Sequence, residues 1–148
     1  MRIIVDADAN PTNKICLSIA KEYVIDIIFV YDNTHHFDFD YGQMIVCDKG
    51  SDAVDFKILS LLKENDILVT QDFELAGFAF NKKAYALNPK GLIYTSDNID
   101  SLLQQRYLSA KARKSGYRSK IKKRSKEDDD LFQASLLQLI KKVGDYND

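Results

Sequence analysis

The feature that most constrains this fold is the alternation of short apolar runs with segments of helical spacing. Residues 2–5 form a β-branched run, residues 24–31 (VIDIIFVY) are almost wholly apolar, and residues 67–71 (ILVTQ) form a third such run. Buried parallel strands read as unbroken apolar runs, and they need crossover connections that are usually helices. The sequence therefore predicts an α/β fold with a mainly parallel sheet and helices on both faces.

Helices are predicted between these strands. Asn10 is expected to cap the first helix and Pro11 to be its first residue, and a second helix is expected to begin at Gly50. Asn88 and Gly91 bound a predicted turn. Further strands and helices are predicted over 43–47, 75–80, 84–87 and 99–108.

One domain accommodates all of these elements. At 148 residues, a chain buries about 68–70% of its unfolded surface, enough for a core without disulfides. Within the domain we expect an α/β core over 1–105, a basic segment over 106–126, and a C-terminal helix over 126–144 packed on the same domain. Ser125 and Asp128 form the capping-box-like start of that helix, and Gly144 is expected to end it.

Cysteine usage and hydropathy indicate the compartment. Cys16 and Cys47 lack CxxC spacing and lie in apolar segments, so both are expected to be buried thiols. No apolar run of about 18 residues is present, and Asp6 interrupts the stretch where a signal peptide would continue. A cytoplasmic protein without a membrane partner is predicted.

Charge is segregated along the chain although the net charge is only −1. Residues 1–105 hold 9 basic and 16 acidic side chains, whereas residues 106–126 hold 10 basic and no acidic ones. Residues 127–148 hold 2 basic and 6 acidic side chains. An acidic body with one dense basic segment suggests cation binding in one place and polyanion contact in another.

Acidic residues follow the predicted strands. Asp6 and Asp8 come after the first strand, Asp72 ends the 67–71 strand, and Asp52 and Asp55 open a helix three residues apart. Ligands of open α/β sheets bind beyond the carboxyl ends of strands, so these five carboxylates are predicted to converge on one rim. Such oxygen-only clusters suit Mg²⁺ or Mn²⁺.

Purely structural interpretations remain open for part of this set. Asp52 or Ser51 could cap a helix, Asp55 could be a first-turn acid favoured by the helix dipole, and Asp72 could initiate a turn. Asp6 and Asp8 are harder to explain structurally, because like charges so close repel unless a cation or a proton separates them.

The remaining candidates are the histidines and the basic segment. Adjacent side chains in an extended loop tend to point apart, so His35 and His36 are interpreted as a solvated loop. No GxGxxG, P-loop or GxSxG motif is present in the sequence. Tyrosines 107 and 117 interleave the basic run, which indicates phosphate contacts with aromatic stacking, or else a solvated tail. Its candidate nucleic-acid-binding residues are Lys111, Arg113, Lys114, Arg118, Lys120, Lys122, Lys123 and Arg124.

Four short motifs, taken in order, resemble the signatures of one bacterial family. They are VDADANP at 5–11, GSDAVD at 50–55, VTQD at 69–72 and LNPKGLIYT at 87–95. In this order and spacing the chain resembles the YaiI/YqxD family, over almost its whole length as far as residue 129. It departs from the family's usual pattern at Asn10, where cysteine is common, and at 120–121, where a Gly-Pro pair is common.

This resemblance implies a function. The family is regarded as a branch of the PIN-like (PilT N-terminus) superfamily, whose active members are metal-dependent ribonucleases with carboxylates at the strand carboxyl ends. Carried over by position, it implies Asp6, Asp8, Asp52, Asp55 and Asp72 as metal-site residues.

The resulting hypothesis is a Mg²⁺- or Mn²⁺-dependent phosphodiesterase acting on RNA, with Asp6, Asp8 and Asp72 as catalytic residues. Asp6, Asp72 and one of Asp52 or Asp55 would hold the cation, and Asp8 would orient a water molecule or a second cation. The alternative is a nucleic-acid or nucleotide-binding protein without catalysis. No oligomeric state is predicted.

Overall fold

The computed structural model of the protein describes residues 1–116 and 122–147. Strands and helices alternate along the first of these ranges except that β3 follows β2 without a helix between them, and a long helix occupies most of the second. The elements are β1 (Arg2–Asp6), α1 (Asn13–Tyr23), β2 (Asp26–Asp32), β3 (Gln43–Cys47), α2 (Ser51–Leu61), β4 (Ile67–Val69), α3 (Phe73–Asn81), β5 (Tyr85–Leu87), α4 (Ser96–Lys114) and α5 (Lys126–Asn147).

The five strands form one sheet in the order β3-β2-β1-β4-β5. Every neighbouring pair is parallel, and Val5 of β1 is level with Phe29 of β2 on one side and Val69 of β4 on the other. The predicted α/β fold with a parallel sheet is confirmed. Because β1 is central, the residues that follow it lie between those that follow β2 and β4.

Helices cover both faces of the sheet, as predicted. On one face α1 and α5 pack against the strands through buried residues such as Cys16, Ile19, Phe132 and Leu136. On the other face α2, α3 and the start of α4 bury residues that include Ile58. The apolar runs of the central strands are buried on both sides, which is why they read as continuous rather than alternating.

The first helix begins later than predicted. Its N-cap is Thr12 and its first residue is Asn13, so the prediction of Asn10 as N-cap and Pro11 as first helical residue was wrong. Asn10 instead accepts hydrogen bonds on Oδ1 from the backbone N–H and hydroxyl of Thr12. Asn13 donates from Nδ2 to the carbonyl of Ala7. These side-chain bonds hold residues 7–12 in a loop and delay the helix.

Other boundaries also differ from the prediction. β4 ends at Val69 rather than at residue 71, and α4 spans Ser96–Lys114 rather than 99–108. β2 begins at Asp26 rather than at residue 24, because Val24 has a φ of 53°, ends α1 as its C-cap and is 83% exposed. Helix α5 continues through Gly144 to Asn147. Val143 is fully buried, so packing at this end outweighs the roughly 1 kcal/mol that glycine costs a helix relative to alanine.

The prediction of a buried thiol is confirmed for one of the two cysteines. Cys16 is fully buried on α1, as expected. Cys47 is only partly buried because it ends β3, the edge strand of the sheet. The predicted turn at 88–91 is present, with the N–H of Gly91 donating to the carbonyl of Asn88 at 2.9 Å.

The described residues of the predicted basic segment are divided between two kinds of structure. Residues 106–114 are the end of α4, and the helix therefore crosses the expected boundary at residue 105. Residues 122–125 precede α5 without regular structure. Within the described ranges, no helix combines the length and the apolar character needed to cross a membrane.

Candidate functional site

The strand order places a cavity at the carboxyl edge of the sheet. The chain passes from β1 to β2 and β3 on one side of the sheet, whereas β4 and β5 lie on the other side of β1. Ligands of open α/β sheets bind where the strand order reverses in this way. The cavity there has a volume of about 290 Å³, and its lining residues are Asp6, Asp8, Asp32, Val54, Asp55 and Asp72.

Thr70 connects Asp6, the last residue of β1, with Asp72, which follows β4. Its hydroxyl donates to Oδ2 of Asp6 at 2.8 Å and accepts the backbone N–H of Asp72 at 3.0 Å. Thr70 is buried, and its carbonyl accepts a hydrogen bond from the Tyr94 hydroxyl at 3.1 Å. The positions of Asp6 and Asp72 are therefore set by the sheet and by one buried hydroxyl.

Two of the cavity carboxyls have raised pKa values. Burial raises the pKa of Asp6 to about 6, the Thr70 hydroxyl opposes this, and the charges of Asp55, Asp8 and Asp72 raise it further. Burial also raises the pKa of Asp55, with contributions from Asp72 and Asp52. The ionised cavity is thus a site of uncompensated negative charge, which favours a cation or a proton.

Asp72 has a structural role as well. Its Oδ1 accepts the backbone N–H groups of Glu74 at 2.9 Å and Leu75 at 3.2 Å, so Asp72 is the N-cap of α3. Both cap hydrogen bonds go to the same oxygen. They do not occupy Oδ2, and Asp72 can cap the helix and face the cavity at the same time.

Asp52 and Asp55 are placed differently. Asp55 lines the cavity, whereas Asp52 lies in a neighbouring depression of about 170 Å³ that it shares with Asp55, Phe56 and Asp72 among others. The N-cap of α2 is Gly50, and no side chain caps this helix. The structure thus brings four of the five predicted aspartates to one cavity and sets Asp52 beside it.

On the β2 side of the cavity, Asp8 meets Asp32 and His35. Asp8 accepts the backbone N–H of Asp32 on Oδ2 at 3.0 Å, and its Oδ1 lies 2.7 Å from Nδ1 of His35. The same ring nitrogen is 3.6 Å from Oδ1 of Asp32. Both histidines are exposed loop residues, as interpreted, but the contact of His35 with Asp8 was not predicted.

Asp32, His35 and Thr70 were not predicted as site residues. Asp32 ends β2, so the strand-end rule that selected Asp72 would have selected it too. The available signal for Thr70 was its hydroxyl, two residues before Asp72, the acid predicted to end a strand. Nothing in the local sequence distinguishes His35 from His36, because the loop conformation decides which ring turns towards Asp8.

Helix α4 carries part of the basic segment towards the cavity. Ile99 lies against Gly77, where a Cβ atom would be 4.0 Å from its Cδ1. Seven residues later, Arg106 lies over the Phe73 ring at 5.6 Å and contacts Glu74 at 2.8 Å. α4 therefore runs opposite to α3, towards the carboxyl edge of the sheet. From the rise per residue of a helix, the end of α4 lies about 12 Å beyond Arg106.

The predicted nucleic-acid-binding residues fall into three groups. Lys111, Arg113 and Lys114 are exposed at the end of α4, and Lys122 and Lys123 are exposed before α5. Arg124 is partly buried, and its Nε donates to Oδ1 of Asp129 at 2.8 Å. The predictions for Arg118 and Lys120 lie outside the described residues.

Comparison with known proteins identifies the family. The family model described as "Uncharacterized BCR, YaiI/YqxD family" matches residues 4–142. This chain belongs to the YaiI/YqxD family. A UPF0178 protein of Clostridium novyi is 46% identical over 144 residues, covering 97% of each chain.

Other family members are similar over nearly the whole chain. A UPF0178 protein of Ruminiclostridium cellulolyticum is 44% identical over 142 residues, covering 95% of this chain and 93% of its own. One from Lachnoclostridium phytofermentans is 42% identical over 147 residues, covering 97% of this chain and 99% of its own. No solved structure matches this YaiI/YqxD chain.

Proposed function

We propose that this YaiI/YqxD chain is a Mg²⁺- or Mn²⁺-dependent phosphodiesterase that acts on RNA. The observation that carries the proposal is the meeting of Asp6, Asp55 and Asp72 in one cavity at the strand-order reversal. The basic end of α4 extends towards the same edge of the sheet. A carboxylate cavity beside exposed cations combines a place for metal with a place for phosphate.

The residues of the cavity fit a hard divalent cation. Asp6, Asp55 and Asp72 offer oxygen donors, and the raised pKa of Asp6 reflects burial among like charges. These three residues would hold the ion, with Asp8 orienting a water molecule or a second cation from the β2 side. When bound, Mg²⁺ or Mn²⁺ activates water and stabilises charge that develops on a phosphate.

The chain's own residues supply positioning and substrate contacts. The Thr70 hydroxyl orients Oδ2 of Asp6, and the cap of α3 orients the Asp72 carboxylate. Lys111, Arg113 and Lys114 at the end of α4 would bind phosphates of the substrate. Their contacts carry no base information, so cleavage with little sequence preference is expected.

The choice of RNA rests on the resemblance to the PIN-like superfamily. The parallel sheet with acids at its carboxyl edge is compatible with that superfamily, whose active members are metal-dependent ribonucleases. A fold of this kind also supports binding without catalysis.

A non-catalytic nucleic-acid or nucleotide-binding protein is therefore the second candidate. The observation that favours it is the capping of α3 by Asp72, which gives this acid a structural reason to be present.

Metal-dependent cleavage of generic single-stranded RNA tests the proposal. We expect cleavage in Mg²⁺ or Mn²⁺ that Asp6→Asn reduces at least about 100-fold, or about 2.7 kcal/mol of barrier. Asp130→Asn is the matched control, because Asp130 is an exposed acid on α5, which packs on the sheet face opposite α2 and α3. RNA binding by the wild type without metal-dependent cleavage would favour the second candidate.

A further inference from the structure

We propose a second cation site, formed by Asp8, Asp32 and His35, that takes a divalent transition-metal ion such as Zn²⁺ or Co²⁺. Asp8 and Asp32 of this site also line the carboxylate cavity, but Asp32 and His35 are not among the residues proposed to hold Mg²⁺ or Mn²⁺, and the imidazole makes the donor chemistry different. Binding there does not require the hydrolysis proposed above. The inference therefore goes beyond that function and is tested separately.

The three donor atoms already lie close together. One carboxylate oxygen from each aspartate and Nδ1 of His35 are all within 4.8 Å of one another. Two donors on one zinc ion lie about 3.3–3.6 Å apart, given bonds of about 2.0–2.2 Å and angles near tetrahedral. The separation of 3.6 Å from Nδ1 to Asp32 is at the upper limit of that range, and the 2.7 Å to Asp8 is below it. A small shift of the imidazole would seat a cation between them.

A buried carboxylate oxygen of Asp8 points independently to a ligand. Oδ2 of Asp8 is held by the backbone N–H of Asp32, whereas Oδ1 is buried and has no hydrogen-bond partner among the described residues. His35 Nδ1 is near this oxygen but not aligned as a hydrogen-bond donor to it. Buried polar atoms are rarely left unsatisfied, because their lost solvation is not replaced. A cation would satisfy this oxygen.

The surrounding loop holds the other two donors in place. Asp32 ends β2, and its Oδ1 accepts the backbone N–H of Thr34 at 2.9 Å and also the Thr34 hydroxyl. The His35 ring lies parallel to the Phe37 ring, with centroids 6.0 Å apart, and Phe37 packs edge-on against Tyr31. The donors are therefore partly ordered before any cation binds.

The donor set decides the class of metal. Imidazole nitrogen suits Zn²⁺, Ni²⁺ and related ions, whereas Mg²⁺ prefers oxygen donors and water. The Asp8–Asp32–His35 site should bind Zn²⁺ and Co²⁺ in preference to Mg²⁺. The cavity at Asp6, Asp55 and Asp72 offers only oxygen donors. It should therefore favour Mg²⁺ over Zn²⁺ and Co²⁺ more than the site with His35 does.

Cobalt titration of the untagged full-length protein tests the site, with absorption spectroscopy and calorimetry as readouts. We expect saturable Co²⁺ binding that excess Mg²⁺ does not displace and that Zn²⁺ does. His35→Ala should weaken Co²⁺ binding at least about tenfold. Mutation of a residue that only hydrogen-bonds to a metal ligand already lowers metal affinity about 10–100-fold, and His35 would be a ligand itself. His36→Ala is the matched control and should leave the affinity unchanged.

Asp32→Asn provides a second variant, since asparagine keeps an oxygen for the Thr34 hydrogen bonds while the carboxylate charge is removed. It should also weaken Co²⁺ binding, and thermal melts of each variant confirm that it is folded. Equal affinity in wild type and His35→Ala, or no binding to the wild type, overturns the inference. Mg²⁺-dependent RNA cleavage and its loss in Asp6→Asn are measured separately, so either proposal can fail alone.

Discussion

The carboxylate cavity and the basic segment carry opposite charges, and the fold arranges those charges differently in the two regions. In the cavity, five aspartates come from the ends of β1 and β2, the loop after β1, helix α2 and the N-cap of α3, and Asp6 is held by the buried Thr70 hydroxyl. In the basic segment, the exposed cations are close in sequence and lie on the end of α4 and before α5. Like charges are thus forced together in the cavity by the fold, whereas in the basic segment they are spread through solvent.

The two regions differ in how strongly solvent and salt screen their charges. Burial is the largest cause of the raised pKa of Asp6, and repulsion from neighbouring carboxylates, weakly screened because burial lowers the local dielectric, raises it further. Charges in the basic segment are screened by water and salt, so they affect stability little. Their attraction for a polyanion depends strongly on salt. Substitutions in the cavity should therefore change stability, and substitutions in the segment should change binding.

The largest expected effect is on RNA affinity. Replacing Lys111, Lys114, Lys122 and Lys123 with alanine removes four exposed cations. Each phosphate contact on a single strand adds about −0.7 to the slope of log affinity against log salt. Loss of four contacts should flatten the slope by about 3 and weaken binding several hundredfold, roughly, at 0.1 M salt. Filter binding or fluorescence anisotropy across a salt series measures both.

A matched variant tests whether position matters or only total charge. Lys14, Lys57, Lys82 and Lys141 are exposed cations on other elements, and their replacement with alanine removes the same charge. We expect a much smaller change in slope. If both quadruple variants bind equally, the segment is only a solvated surface.

The next effect is on stability in the cavity. Ionising Asp6 costs the folded protein on the order of 3 kcal/mol, because its pKa rises from 3.8 to about 6. Asp6→Asn removes this cost and should be more stable than the wild type above pH 6. As pH falls from 6 towards 4, Asp6 becomes protonated in the folded protein before the unfolded chain, and the difference should shrink. Urea unfolding at several pH values measures it.

Metal provides the complementary test in the same cavity. A ligand at about 100 times its dissociation constant stabilises the folded state by roughly 2.7 kcal/mol. Mn²⁺ should therefore raise the melting temperature of the wild type and should raise that of Asp6→Asn less. An equal rise in both proteins would mean that Mn²⁺ binds elsewhere.

The smallest expected effect comes from Asp72→Asn. It removes one charge that raises the pKa of Asp6 and of Asp55, while asparagine caps a helix about as well as aspartate. Without metal, we expect a stabilisation of about 1 kcal/mol or less. Asp97→Asn is the control, because Asp97 lies in the first turn of α4 outside the cavity lining. It should destabilise by about 0.3–1 kcal/mol through the helix dipole. Destabilisation by both variants would show that capping, not repulsion, dominates at Asp72.

Much of the local structure was predictable because it depends on short-range patterns. The span of β3, the turn at 88–91 and the Ser125–Asp128 start of α5 were all predicted from neighbouring residues. Errors occurred where side chains or packing several residues away decided the outcome. The Asn10 side chain delayed α1, and burial of Val143 carried α5 past Gly144.

The candidate site was predictable only in part. Strand-end position selected Asp6, Asp8 and Asp72 because parallel strands present their carboxyl ends at one edge. It did not separate Asp55 from Asp52, because they share a helical face and only the packing of α2 on the sheet turns one of them into the cavity. It also missed His35, whose ring is directed by the loop after β2.

By itself, the sequence determined the order of strands and helices, the parallel α/β class and the separation of an acidic body from a basic segment. These depend on which residues are neighbours along the chain. Only the tertiary structure decided that β1 lies between β2 and β4, that Asp8 meets Asp32 and His35, and that α4 runs towards the cavity. Those juxtapositions depend on long-range strand pairing and helix packing, and residues far apart in sequence carry no local signal of the neighbours they acquire.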